Sequence, residues 1–407
     1  MIALKDFVKV VDGEFISGDP HALIRGVSTD TRTLGKGDCF FAIKGTVAER
    51  DGHDFIKDAL IKDASAIVFS KDDISIGGDE KILLGFPALI KVKDTLRALG
   101  DYAKFVRLCF GGKVICVVGS NGKTTVKNMI YSILVAAGAK AHKSPRNYNN
   151  LIGLPLTILS MPSDGEVDYL VLEAGISVAG EMARLGEIAA PDVAVITNVG
   201  REHLEGLGDM ETVFNEETEI LRHLKDNKGV AVINVDDSRL ADFAAKKTLR
   251  EDKNKSMRII GFSVKGAGDR VASFPSDIVV GCENITHSAE GVSFTIDCSR
   301  NRAEIFLKLN GIFNVSNALA AAAVCFSAVV PLEKIKVGLE SFEAVPGRMQ
   351  KFALSNGCVI INDAYNANPD SMRASIAAFM EAYPRRNKIL VLGDMLELGA
   401  YSSEEHR

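Results

Sequence analysis

The sequence predicts an α/β protein organised around a doubly wound, mainly parallel sheet. Three observations carry this. From residue 113 onward, apolar runs alternate with helical patterns: KVICVVG (113–119), VDYLVLEAG (167–175), PDVAVITNVG (191–200) and GVAVINV (229–235) are separated by helical stretches at 123–137, 180–189 and 210–224. Such alternation implies crossover helices and a parallel sheet. The first of these runs leads straight into a glycine-rich turn that opens a helix, GSNGKTT (119–125). Finally, 407 residues, at roughly 150 per domain, suggest two to three domains with cores large enough to need no disulfide or metal staple.

The elements follow in order. In residues 1–92, GDCFFAI (37–43), SAIVFS (65–70), KILLGF (81–86) and ALIKV (88–92) read as strands, with one helix over 55–63. They form a first small α/β domain. Residues 93–107 have helical spacing and lead into a central domain, 93–344. Within it, 240–310 is rich in charge and turns. Its short strands RIIGFSV, VSFTIDC and AEIFLKL are expected to form an antiparallel edge, and the charge run 246–256 a solvated loop. A helix spans 314–329, and VPGRMQ (345–350) reads as a hinge into a third domain, 345–407. There CVIINDAY (358–365) and KILVLGD (388–394) read as strands around a helix over 371–383, and the last residues look like the start of another helix. Two strands and one helix make a thin domain, so this end reads as truncated.

Composition narrows the class. Hydrophobic residues make up 47% and charged residues 25%, which is globular. The 48 basic and 53 acidic residues give a net charge of −5, so the overall field does not favour nucleic acid. The seven cysteines form no CxxC pair, which argues against a disulfide framework or a structural zinc site and for a reducing compartment. The N-terminus lacks a signal-peptide core, and the longest apolar stretch, 318–332, is shorter than the ~18 residues a membrane span needs. A cytoplasmic protein with no membrane insertion is expected.

The chemistry concentrates at strand ends, where ligands of doubly wound sheets sit. In Gly119, Ser120, Asn121, Gly122, Lys123, Thr124 and Thr125, the glycines let backbone N–H groups approach a phosphate at a helix N-terminus. Lys123 would reach the β- and γ-phosphates, and the Thr124 hydroxyl would ligate Mg²⁺. The full phosphate-loop pattern puts Gly where this chain has Val117, and a plain strand–helix turn is the competing reading. Glu173 closes an apolar strand and suits Mg²⁺, or is a surface cap. His203, in ITNVGREHLEGLG (196–208), sits at the same edge, as a ligand or a structural histidine. Asp363, Asn366 and Asn368 lie in NDAYNANPDSM (362–372), which also reads as a turn. Arg348, in PGRMQ, is a phosphate contact or a hinge arginine.

Together GSNGKTT, PRNYNNLIGLP, LEAG, ITNVGREHLEGLG, NGIFNVSNALAAAA, PGRMQ, INDAYNANPDSM and LGDMLELG resemble the Mur ligases. The last two are similar to the branch that adds D-alanyl-D-alanine. VSTDTRTLGKGDCFFAIKGTVAERDGHDF (27–55) resembles the family's UDP-binding domain. The resemblance implies a three-domain Mur ligase architecture with a central P-loop ATPase sheet. It implies an ATP-dependent amide ligase that joins D-alanyl-D-alanine to UDP-N-acetylmuramoyl-tripeptide through an acyl phosphate, with ATP and Mg²⁺ as cofactors. A monomer is expected.

The resemblance also implies roles by position. Lys123 and Thr124 handle the ATP phosphates and the first Mg²⁺, which Glu173 shares, and His203 ligates the second. Asn314 and Asn317 line the adenine pocket, while Arg348 and Asp363 reach the nucleotide from the third domain. Ser28, Asp30, Arg32, Asp51, Gly52 and His53 hold the UDP part, Asn147, Asn149 and Asn150 lie in the substrate loop, and Asn366 and Asn368 lie near the dipeptide. Much of the family carries a CO₂-modified lysine where a gapless count from HLEG puts Glu217. Glu217 is therefore expected either to replace that carbamate at the second Mg²⁺ or to share a solvated acidic face with Glu216 and Glu219. The chain departs from the family at Phe313, usually His, and its third domain is shorter. The rival readings are another amide ligase of this fold, such as a diaminopimelate- or lysine-adding enzyme or folylpolyglutamate synthase, and a nucleotide-binding relative without catalysis. No DNPR-type motif of the amino-acid-adding enzymes is present, and the first domain argues against the folate enzyme.

Overall fold

The computed structural model describes residues 2–45, 51–72, 87–162, 165–225, 229–249, 257–265, 278–298 and 301–407. The strand expected at 81–86 and residues 250–256 of the charge run lie outside these. The chain separates into two compact units: 1–111 with 148–166 and 187–189, and 112–147 with 167–186 and 190–407. No helix among the described residues is long and apolar enough to cross a membrane.

The first unit holds a five-stranded sheet in the order Glu14–Ser17, Ala88–Lys91, Ala66–Phe69, Cys39–Phe41, Val27–Ser28. Only Glu14–Ser17, an edge strand absent from the sequence reading, runs antiparallel. Side chains alternate across the strands. Phe41, Val68 and Ile90 therefore enter a core with Leu4, Phe7, Leu99 and Tyr102. Phe40, Ile67 and Leu89 enter a second core with Ile56 and Leu60 on the other face.

The second unit is built on a nine-stranded sheet. Its order is Asn301–Leu307, Val292–Cys298, Val279–His287, Arg258–Ser263, Val230–Asn234, Val193–Ile196, Lys113–Val118, Tyr169–Glu173, Ala141–Lys143. The chain leaves Lys113–Val118 for the edge strand Ala141–Lys143, returns to Tyr169–Glu173, then crosses to Val193–Ile196 on the other side. That reversal is a topological switch point, and it opens a crevice at the carboxyl ends of these strands. Glu173 pairs with Val117 and Ile196 with Val118. The register thus brings the residues after all three strands to one edge.

Two expectations are corrected here. Arg258–Ser263 is not part of the antiparallel edge: it runs parallel to both Val230–Asn234 and Val279–His287. The reason is the crossover helix Ser238–Leu249, which occupies the start of the supposed solvated loop and returns the chain in the same direction. The antiparallel pairing begins one strand later, among Val279–His287, Val292–Cys298 and Asn301–Leu307. The second correction concerns 388–394, which forms no strand. Its β-branched residues supply propensity, but a strand needs a bonded neighbour, and no described segment pairs with it. Ile389 and Val391 stay 86% and 93% exposed.

The helix Ile312–Ser327 carries Asn314, Ser316 and Asn317 near its start and from Ala318 to Cys325 is apolar on all sides, within the core. The helix Leu332–Glu340 packs against Lys123–Ala136. Gly338 permits that approach, since a methyl there would lie 2.4 Å from Ile133 Cα. Residues 345–349 turn through Gly347 and Met349, with φ +73° and +49°. The hairpin Gln350–Ala353 with Val359–Asn362 follows, then the helix Pro369–Ala382.

Candidate active site

The turn after Lys113–Val118 builds the site. Gly119 and Gly122 have φ +115° and +88°. A methyl on Gly119 would lie 2.3 Å from Thr197 Oγ1, and one on Gly122 2.3 Å from Asn317 Oδ1, so neither position admits a side chain. Gly122 caps the helix Lys123–Ala136, whose first-turn N–H groups have no partner within the helix and favour an anion.

The turn is held from the neighbouring strand. The Asn121 carbonyl accepts from Thr197 Oγ1 at 2.6 Å and Asn198 Nδ2 at 3.0 Å. The Ser120 hydroxyl accepts the Gly200 N–H at 2.7 Å. Asn317 donates to Asn314 Oδ1 at 3.3 Å, so both asparagines sit together beside Gly122.

Lys123 Nζ donates to the Gly119 carbonyl at 2.6 Å and lies 3.4 Å from Glu202 Oε1. Burial by itself would lower the Lys123 pKa, but Glu202, Glu217 and Glu173 outweigh it and hold the ammonium above its ordinary range. Glu217 is fully buried, not on a solvated face. Its Oε2 accepts the Gly119 N–H at 2.7 Å, and its Oε1 has no hydrogen-bond partner among the described residues. Burial pushes its carboxyl above the usual carboxylate range, against the pull of Lys123 and with the help of Glu202. Its neighbours differ: Glu216 accepts the Gly180 N–H at 2.8 Å and Glu219 pairs with Arg222 at 3.2 Å.

Thr124 Oγ1 donates to Glu173 Oε1 at 3.1 Å, and Lys127 Nζ donates to Glu173 Oε2 at 2.9 Å. Arg348 Nη2 donates to Thr124 Oγ1 at 3.2 Å. The Arg348 guanidinium lies 4.3 Å over the Tyr365 ring, and its buried Nε is unpartnered among the described residues. Asp363 accepts the Met349 N–H at 2.9 Å. Burial raises the Asp363 pKa against hydrogen bonds from Ser375 and Met349 and the charge of Arg348. His203 has φ +52°, caps the short helix Leu204–Leu207, and places Nε2 3.9 Å from Glu202 Oε2. Lys123, Thr124, Glu173, His203, Glu217, Asn314, Asn317 and Arg348 therefore converge on one crevice.

Comparison with known proteins accounts for the arrangement. Residues 23–107 match the family described as "Mur ligase family, catalytic domain", 117–325 the "Mur ligase middle domain" and 347–407 the "Mur ligase, glutamate ligase domain". The UDP-N-acetylmuramoyl-tripeptide–D-alanyl-D-alanine ligase of Bacillus subtilis is 35% identical across 99% of this chain and 81% of its own length. The Escherichia coli enzyme of the same name is 34% identical, across 100% and 82%. The chain belongs to the Mur ligase family. Among solved structures, a MurF from Acinetobacter baumannii superposes with a TM-score of 0.84 at 29% identity, over 99% of this chain and 81% of its own. A Thermotoga maritima MurF in complex with ADP gives 0.76 at 29% identity, over 94% and 80%.

In this Mur ligase the remaining candidate residues have separate places. In the first unit, Arg32 Nε closes onto Asp30 at 3.0 Å, and Ser28 Oγ donates to the Asp30 carbonyl at 2.9 Å. Asp51 Oδ1 accepts from His53 N–H at 2.9 Å and its ring Nδ1 at 2.5 Å, while His53 Nε2 accepts the Ser70 N–H at 2.9 Å. Gly52 lies so close to the Ile43 backbone that a methyl would sit 2.6 Å from its nitrogen. Asn149 is half-buried, and Asn150 Oδ1 accepts the Gly153 N–H at 2.8 Å at the start of the helix Gly153–Leu159. In the second unit, Asn147 and Asn366 are exposed and Thr125 is buried. Asn368 is buried: it caps Pro369–Ala382 and donates to Asn121 Oδ1 at 2.8 Å.

Sequence reasoning missed Lys127, Glu202 and Glu397. Lys127 was signalled, being a lysine on the apolar face of a buried helix one turn after Lys123. Glu202 precedes His203 directly and is buried between it and Lys123. Glu397 meets His203 from far along the chain; it lies within LGDMLELG, but nothing in that motif names its partner.

Proposed function

We propose that this Mur ligase joins D-alanyl-D-alanine to the terminal carboxylate of UDP-N-acetylmuramoyl-tripeptide, using ATP. One observation carries the reading: the ammonium of Lys123, the hydroxyl of Thr124, the carboxylate of Glu173 and the guanidinium of Arg348 meet at a phosphate-binding turn. The chain is 34–35% identical over essentially its whole length to enzymes named for this reaction. A three-part division is supported by the family matches at 23–107, 117–325 and 347–407, the first of which runs past the expected boundary at 92 and takes in 93–107.

A carboxylate resists attack by an amine, and ATP supplies the activation by turning it into an acyl phosphate that the dipeptide amine opens with loss of phosphate. The chain contributes position and charge. Lys123 stays protonated between three carboxylates and so carries positive charge to the γ-phosphate. Arg348 brings a second cation from within the turn at 345–349, with its Nε, unpartnered among the described residues, ready to donate. Glu217 fixes the Gly119 N–H and thereby the entry to the turn. The buried Asn368 holds Asn121 in place, which leaves the exposed Asn366 for the dipeptide.

The residues fit Mg²⁺. Thr124 and Glu173 offer hard oxygen donors 3.1 Å apart, with Lys127 balancing the other Glu173 oxygen. Among the described residues no three His, Cys, Asp or Glu form a metal cage. Mg²⁺ commonly takes one or two carboxylates and completes its shell from phosphates and water. When bound, it would neutralise phosphate charge. His203 Nε2 and Glu202 stand beside a second position.

The test is phosphate release with each substrate omitted in turn. Release requires both the UDP-muramoyl tripeptide and D-alanyl-D-alanine. Release with a free amino acid in place of the dipeptide would instead mark an amino-acid-adding ligase. ATP binding without release would mark a non-catalytic relative.

A further inference from the structure

The loop 200–206, which carries His203, is gripped by acidic residues from the last forty positions. Asp370 Oδ2 accepts the Arg201 N–H at 2.9 Å. Glu405 pairs with the Arg201 side chain and, at 2.7 Å, with Arg373. Glu397 makes two attachments: its carboxylate is hydrogen-bonded to His203 Nδ1, and its carbonyl accepts the Glu205 N–H at 3.0 Å.

Both partners of the Glu397–His203 contact are strained. Glu397 has φ +61° and His203 φ +52°. Non-glycine residues hold this left-handed backbone at a cost of about 1–3 kcal/mol each, and only where the surroundings enforce it. Gly399, at φ +54°, lets the chain pass the same loop, since a methyl there would already lie 3.3 Å from Glu205 Cα. Two strained residues, one side-chain bond to the ring and one backbone bond two residues on, at Glu205, meet in this loop. A ring held by Nδ1 has its other nitrogen directed elsewhere, and here Nε2 faces Glu202.

We propose that Glu397 is a positioning residue for His203, holding the proton on Nδ1 so that the Nε2 lone pair is presented to the crevice. The value of that lone pair to a divalent cation rests on the function proposed above; the orientation of the ring does not. A carboxylate behind a histidine fixes its tautomer and raises its basicity as a ligand.

The test compares Glu397→Ala and Glu397→Gln with the wild type in the full chain. Imidazole ¹⁵N spectra are recorded without metal or nucleotide, at a pH where the ring is neutral, with His203→Ala assigning the signal. Wild type and Glu397→Gln, whose amide carbonyl can still accept, should show the proton on Nδ1. Glu397→Ala should show mixed tautomers. In phosphate-release assays, Glu397→Ala should need about tenfold or more Mg²⁺ for half-maximal rate, Glu397→Gln less, with rates at saturating Mg²⁺ close to wild type. An unchanged tautomer in Glu397→Ala would overturn the proposal whatever the activity. A wild type without dual-substrate phosphate release would overturn the function and leave the tautomer result standing.

Discussion

Lys123 is the residue on which the site's charge depends, because it is the cation among three buried or nearly buried carboxylates. Lys123→Ala should lower turnover about 10²–10³-fold, the scale of losing one preorganised donor to developing charge. It should also lower the melting temperature, since the buried Glu202 loses its lysine counter-charge, whereas Glu173 keeps Lys127. Turnover is therefore read at a temperature where the variant is folded, and wild-type turnover there would refute the role. Asp51 gives a prediction on pH. Burial opposes its ionisation, but hydrogen bonds from the His53 backbone and ring and from Lys71 win, and bring its pKa down to about 2 from 3.8. A depressed carboxyl stabilises the fold above its unfolded pKa, and the contribution is lost as pH falls from about 4 toward 2. Asp51→Asn should therefore flatten the acid limb of the stability curve between those values in chemical denaturation, while the wild type declines. Parallel acid limbs would mean that the His53 contacts contribute nothing.

At the level of elements, the glycine turn and the helix Ile312–Ser327 are mutually fitted. Gly122→Ala should destabilise the protein by about 2 kcal/mol or more, from the positive φ alone and from the collision with Asn317 Oδ1 at 2.3 Å. Adding Asn317→Ala should recover part of the loss, and denaturant titration of both single variants and the double measures the coupling. Strict additivity would show that the two elements do not touch as described. The same two elements show why much of the fold was legible. The buried strand Lys113–Val118 and the Ala-rich helix are continuous apolar runs, and the phosphate turn is contiguous in sequence. Pairing direction was not legible. RIIGFSV reads alike in a parallel or an antiparallel ladder, and only the crossover Ser238–Leu249 decides between them. The strand Val279–His287 hid because its outer half, ENITH (283–287), carries polar residues. KILVLGD (388–394) has strand composition without a strand's neighbour. In the site, Lys123, Glu173 and His203 announced themselves at strand ends. Glu202 was masked by its neighbour, and Glu397 lies 194 positions from the histidine it holds.

Across the whole second unit, residues 345–407 reach the phosphate turn through Arg348 on Thr124 and Asn368 on Asn121, and the neighbouring loop through Glu397 on His203. A ligand that binds the assembled turn should stabilise all three together. Amide hydrogen exchange should slow at 347–350, 366–372 and 395–401 when ATP and Mg²⁺ are added, and Arg348→Ala should abolish the change in the last two segments. Protection confined to 119–125 would show that the later residues take no part. The central claim is that the carboxylate is activated by phosphoryl transfer within this crevice, and oxygen tracing tests it most directly. With ¹⁸O in the terminal carboxylate of the UDP-muramoyl tripeptide, D-alanyl-D-alanine and unlabelled ATP, mass spectrometry of the released phosphate should find one ¹⁸O per molecule formed. Phosphate released without label would contradict the account.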